Sequence, residues 1–138
     1  MSTQDEDLER IRAAYQAWHD TRGLSSKHWL ELMSPNVRFR SLAAGAPGLE
    51  FTSDCACTSD VERYFGTLQQ DWTMEHYTVD ELFGSGDRVV MLGRMAWTHK
   101  RTGKRIDTPK ADFLRMKDGK VVEFFEFYDT ARAMAAAS

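Results

Sequence analysis

Four histidines, two cysteines and a pair of alternating arginines are the residues of this sequence whose types first invite chemistry. His19, His28, His76 and His99 show no i, i+4 spacing and no neighbouring cysteine, so the pattern of a metal site is missing and no metal is expected. His76 lies in a strand-like run that reaches the mouth of any pocket, where a histidine serves as a proton carrier near neutral pH. Cys55 and Cys57 are separated by a single residue, which strains a disulfide between them, and two thiolates leave a tetrahedral zinc half filled. They read as reduced loop cysteines in a reducing compartment. Val37-Arg38-Phe39-Arg40 alternates apolar with cationic side chains, the mark of a strand with one wet or functional face. The basic run His99 to Arg105 has Thr102-Gly103 at its centre, between two strand-like runs, and reads as a solvated hairpin tip.

The bulk of the chain excludes several function classes. A net charge of -3 over 138 residues offers no cationic footprint for nucleic acid. No run approaches the ~20 apolar residues of a bilayer span, and the acidic stretch Ser2 to Asp7 lacks the cationic-then-apolar order of a secretion signal. The cytoplasm is the expected compartment, and residues 1–138 are expected to form one domain.

The elements that must position any site follow from caps and periods. Thr3 with Glu6 forms a capping box, and Leu8, Ile11, Tyr15 and Trp18 continue at helical spacing toward Arg22 and a stop at Gly23. A short helix is predicted from Lys27 to Met33, broken by Ser34-Pro35-Asn36. A strand over 37–40 and a long loop over 43–58 come next. A second capping box, Ser59 with Glu62, is expected to open a helix running to about Asp71. From Trp72 the period changes to two, with strand-like runs over 73–83, 88–99, 105–116 and 121–128 joined by hairpin signals. Four such runs make an antiparallel meander, with the preceding helices covering one face. The tail from Thr130 reads as a short alanine-rich helix.

This order of elements resembles the nuclear-transport-factor-2-like superfamily, which includes ketosteroid isomerase, limonene epoxide hydrolase and SnoaL-like polyketide cyclases. The run from Asp112 through Lys117-Asp118-Gly119-Lys120 to Phe127-Tyr128-Asp129 is similar to the last hairpin of SnoaL-like members. The resemblance implies an α+β cystatin-like cone, with helices packed on one face of a strongly curved, mainly antiparallel sheet around a single pocket. It also implies a homodimer formed through the outer sheet face.

The resemblance also implies a site. By comparison with the isomerase, Asp112 takes the place of an oxyanion-hole aspartate and Tyr15 that of a tyrosine. Arg40 stands where the isomerase has its base, and an arginine cannot abstract a proton at neutral pH. By comparison with the hydrolase, Arg94 matches a catalytic arginine and Glu126 one of two aspartates, while Ala96 replaces the other. Alternation then turns Arg38, Arg40, Leu92, Arg94, Lys110, Asp112, Leu114, Phe124, Glu126 and Tyr128 inward, and Trp97, Phe125 and Phe127 outward. The expected catalytic set is Asp112, Glu126, Arg94 and Tyr15. Arg38, Arg40, Lys110, Leu114, Phe124, Tyr128, Trp18 and His76 are expected to contact substrate. So cationic a pocket favours a small polar or anionic molecule, and the expected activity is a cofactor-independent isomerase, lyase or hydrolase working by acid-base chemistry. A non-catalytic binding or dimerisation domain is the alternative, with Glu126 and Arg94 as a structural ion pair.

Overall fold

In the computed structural model, which describes residues 3–138, the first helix α1 (Gln4–Asp20) begins at the expected capping box. The Thr3 hydroxyl accepts from the Glu6 amide, and the Glu6 carboxylate accepts from the Thr3 amide, both at 3.2 Å. Ile11, Ala14, Tyr15 and Trp18 form its buried stripe. The chain leaves the helix through Gly23, whose φ of +72° suits glycine and whose amide donates to the Trp18 carbonyl at 2.8 Å. A side chain there would press on Trp97, 3.0 Å from the position of its Cβ.

Helix α2 (Lys27–Leu32) contributes Trp29 and Leu32 to the core and leads into β1 (Met33–Ser41), which is longer than expected. The loop after β1 holds a short 3-10 turn over Glu50–Thr52 and an isolated bridge from Cys55 to Phe39. Helix α3 (Thr58–Asp71) starts two residues earlier than the capping box predicts. Its N-cap is Cys57, whose side chain makes no capping bond, and the Asp60 carboxylate accepts from the Ala56 amide at 3.0 Å across the same turn.

The meander follows as β2 (Trp72–Ser85), β3 (Arg88–His99), β4 (Arg105–Lys117) and β5 (Lys120–Phe127), with a final helix α4 (Thr130–Ala136). The strand order is β1-β5-β4-β3-β2, with β1 parallel to β5 and every other pair antiparallel. The helices cover the concave face. Curvature comes partly from β2, whose register shifts between Met74 and His76 and again between Val79 and Glu81. Opposite the second shift lies Gly93, where a Cβ would stand 2.0 Å from the Thr78 carbonyl oxygen. Only a glycine lets the two backbones come so close.

Two strands present the opposite face from the one expected. In β1, Val37, Phe39 and Ser41 are buried, while Arg38 is exposed and Arg40 lies over the outer ring of Phe125 at 4.2 Å. In β3, Met91, Met95 and Trp97 point into the core, while Arg94 is exposed and Leu92 half-buried. A free guanidinium desolvated in this core costs several kcal/mol by the order of magnitude for buried ions, so the apolar set faces in. Strands β4 and β5 present the expected inward sets: Lys110, Asp112 and Leu114, then Phe124, Glu126 and the half-buried Tyr128. Phe125 and Phe127 face out and stack at 4.5 Å, with Phe113 edge-on to Phe127 at 5.3 Å.

The basic hairpin tip is not merely solvated. Arg101, Thr102 and Lys104 donate to the carbonyls of Ala137, Ala136 and Ser138 and so tie the end of α4 to the β3–β4 turn.

Candidate functional site

A cavity opens between the concave face and the helices. It is lined almost wholly by rings: Tyr15, Trp18 and Trp29 from the first two helices, Tyr64 and Phe65 from α3, and Phe39, Trp72, Tyr77, Trp97 and Phe124 from the sheet. Leu49 and Phe51 from the loop after β1, and Ala133 from α4, close its rim. The free volume is about 70 Å³. A ring such as benzene occupies an apolar cavity of roughly 150 Å³, so an aromatic ligand must displace part of this rim.

The polar groups of the cavity gather at one pole. Adjacent strands bring Lys110 and Asp112 of β4 beside Glu126 of β5, since Asp112 and Glu126 are directly opposed in the register. Lys110 and Glu126 reach the cavity wall, with side chains 3% and 10% exposed, whereas Asp112 is sealed behind them at 0%. The Lys110 ammonium donates to Asp112 Oδ1 and lies 3.3 Å from Glu126 Oε2. Asp112 Oδ2 accepts from Tyr15 Oη at 2.6 Å and from Tyr77 Oη at 3.0 Å. Glu126 Oε1 accepts from Tyr64 Oη. Beside it, Tyr128 Oη and Ser41 Oγ share a hydrogen bond of 2.8 Å. Tyr15, Tyr64 and Tyr77 thus each donate to a carboxylate, the acceptor that a buried phenol needs.

This network fixes protonation. Burial pushes the phenols of Tyr15, Tyr64 and Tyr77 well above the usual tyrosine range, and the neighbouring carboxylates add to the shift. Burial by itself lowers the affinity of Lys110 for its proton, but Asp112, Tyr77 and Glu126 outweigh it and raise the ammonium well above the ordinary lysine value. Lys110 is therefore a fixed cation. Asp112 has only donors around it, an arrangement that suits a carboxylate and leaves no proton to give to a ligand.

Several expected site residues lie elsewhere. Arg94 pairs not with Glu126 but with Asp107 on the convex face, at 2.7 Å. Arg38 and Arg40 share that outer side. His76 does as well, turned away by the first register shift of β2, with Nε2 3.9 Å from Asp107. Leu114 is buried in the core and does not line the cavity, whereas Trp18, Phe124 and Tyr128 do. Trp97, expected outside, forms part of the wall. With the arginines outside, one ammonium faces two carboxylates, so the excess of cations that argued for an anionic ligand does not face the cavity. Tyr64 and Tyr77 were missed. Tyr64 lies in the helix predicted to run to about Asp71, where nothing local marks its hydroxyl, and Tyr77 faces inward because of a bulge that period-two counting does not foresee.

The SnoaL-like domain model matches residues 11–124. The chain belongs to the SnoaL-like domain family. This SnoaL-like protein is similar in fold to an NTF2-like protein of unknown function from Burkholderia pseudomallei, with 21% identity, a TM-score of 0.83 and 96% and 97% of the two chains covered. It is similar to TerC co-crystallised with polyporic acid, with 20% identity, a TM-score of 0.80 and 95% and 97% covered. A Jannaschia protein assigned as a SnoaL-like polyketide cyclase shares 18% identity at a TM-score of 0.75, with 96% and 91% covered. No curated protein matches the chain. No helix among the described residues is long and apolar enough to cross a membrane.

Proposed function

We propose that this SnoaL-like protein is an acid-base enzyme acting on a small, flat, largely apolar molecule that bears a carbonyl group, with Glu126 as the base. One observation carries the reading: a carboxylate, fixed by Tyr64 and Lys110, stands at the wall of an otherwise aromatic cavity. Rings bind flat apolar frameworks by stacking and edge contacts. A lone polar pole then orients the one polar end of such a ligand. Glu126 retains unoccupied lone pairs beside its two partners, so it can accept a proton from a carbon next to the carbonyl. The related TerC structure holds polyporic acid, and the relative assigned as a polyketide cyclase fits a substrate of the same broad kind. Isomerisation, elimination and ring closure all begin with that proton abstraction.

The test is hydrogen-deuterium exchange at the methyl group of acetophenone in heavy water, followed by NMR. The wild-type chain is expected to accelerate exchange above the buffer rate, and Glu126→Gln, which keeps the shape and the Lys110 contact, to abolish the acceleration. Equal exchange by the two proteins removes Glu126 as the base. Failure of the wild-type chain to accelerate exchange removes the proposed activity, and the cavity is then left to a binding role.

A further inference from the structure

We infer that Lys110 is the group that holds the developing enolate oxygen, and that Asp112, with Tyr15 and Tyr77 behind it, is a positioning residue for that ammonium rather than a donor to the ligand. The inference rests on the reading of Glu126 as a base. It assigns Lys110 and Asp112 roles that differ from those the superfamily resemblance implies for these positions.

The geometry carries it in three steps. First, of the groups at the polar pole, Lys110 and Glu126 line the cavity, while Asp112 is sealed from it. An aspartate that accepts from two phenols and an ammonium has neither the proton nor the access to act on a ligand. Second, an ammonium has three N–H donors, and two are directed to Asp112 Oδ1 and toward Glu126 Oε2. The third is directed to Tyr77, which lines the cavity with Lys110 and whose hydroxyl accepts it, so a ligand oxygen at the wall competes with that phenol for the N–H. Third, Lys110 adjoins the proposed base, at 3.3 Å from Glu126 Oε2. A carbonyl oxygen that takes this N–H from the Tyr77 hydroxyl therefore brings its α-carbon toward Glu126.

The step balances. The C–H bond at the α-carbon breaks and an O–H bond forms on Glu126. The electron pair of the C–H bond becomes the C=C bond of the enolate, and the carbonyl π pair moves onto oxygen. One negative charge thus passes from Glu126 to the enolate oxygen, from one neighbour of Lys110 to another. The net charge of the pole is unchanged, and no new ion is created in the dry cavity. That is the condition under which a preorganised charge lowers a barrier most, because nothing has to reorganise when the proton moves. Asp112 keeps the lysine charged and directed. Tyr15 and Tyr77 saturate the far oxygen of Asp112, so that the aspartate does not draw the ammonium away from the wall.

Two probes separate this inference from the reading it rests on. The first is acetophenone exchange in Lys110→Met and in Lys110→Arg, each checked for native circular dichroism. Loss of a donor of this kind costs about 10²- to 10³-fold in rate, which is the loss expected for Lys110→Met, with partial recovery in Lys110→Arg. The second probe does not depend on turnover. p-Nitrophenol is titrated into the wild-type chain, its ionisation read by absorbance, and the lysine ammonium signals followed by ¹⁵N NMR. Binding as phenolate below its solution pKa is expected, together with movement of the one ammonium signal that Lys110→Met removes. In Asp112→Asn the pH at which that ammonium titrates is expected to drop, with a matching drop in the alkaline limb of the exchange profile, which a merely structural Asp112 leaves in place. Catalysed exchange that survives in Lys110→Met overturns the inference and leaves Glu126 as base. Binding of p-nitrophenol that leaves the Lys110 signal unmoved overturns it as well. Absent exchange in the wild-type chain, with the Lys110 signal moved by p-nitrophenol, removes the enzymatic reading and keeps Lys110 as the oxyanion contact.

Discussion

The two faces of the sheet treat charge in opposite ways. On the concave face three ionisable side chains, Lys110, Asp112 and Glu126, are buried together and satisfied by tyrosines from two helices and from β2. On the convex face Arg94, Arg105, Asp107 and Glu75 form a chain of pairs across β2, β3 and β4, and Arg115 bridges Asp87 and Glu123. The chain of pairs is wet, and its members are a third to a half exposed. The same kinds of ions therefore matter differently: water screens the outer set, while the inner set has only its own members for solvation.

The largest expected effect comes from removing one inner partner. Asp112→Leu leaves Lys110 facing a single carboxylate and two phenols without acceptors, and breaking a buried pair of this kind costs about 3–5 kcal/mol. Urea denaturation at neutral pH measures it, and a loss of under about 1 kcal/mol, the usual value for exposed pairs, would erase the contrast between the faces.

An intermediate effect is expected from alkali. Lys110, Tyr15, Tyr64 and Tyr77 all hold their protons more tightly in the folded chain than at their ordinary values of 10.5 and 10.0. Groups shifted upward contribute stability that is fully present below those ordinary values and is lost as the pH rises through the folded ones. The urea midpoint is therefore expected to hold steady up to about pH 9 and to fall steeply above about pH 10. A flat midpoint to pH 11.5 would mean that water reaches the inner network.

The smallest effect belongs outside. Arg94→Ala removes the 2.7 Å pair with Asp107, yet Arg105 remains 3.3 Å from the same carboxylate, so a cost below about 1 kcal/mol is expected by the same denaturation. The acetophenone exchange rate is expected to stay unchanged, because Arg94 does not reach the cavity.

Legibility in the sequence followed the strength of local constraint. The inward sets of β4 and β5 came out as expected because the matched positions Asp112 and Glu126 lie on the buried parity of their strands, although the facing pairs Leu114 with Phe124 and Asp112 with Glu126 depend on a register shift between Arg115 and Met116 that the turn does not encode. In β3 both parities are apolar through Val89, Val90, Met91 and Leu92, so alternation has no direction to report, and matching Arg94 to a relative chose the wrong side. In β1 the simplest rule, apolar side chains inward, places Val37 and Phe39 correctly; only the analogy turned the arginines in. Tyr77 was hidden by a bulge, and the partnership of Tyr64 with Glu126 spans 62 residues of sequence.

By itself, the sequence determined the elements and their order, because caps, turns and hydrophobic periods act over a few residues, and the family resemblance carried by that order implied the cone. Tertiary structure alone decided which charges are dry. That choice depends on register, on a bulge in β2 and on helices closing over a curved sheet, none of which a local pattern encodes. It is also what sets one lysine between two carboxylates, rather than a set of arginines, on the concave face of this SnoaL-like protein.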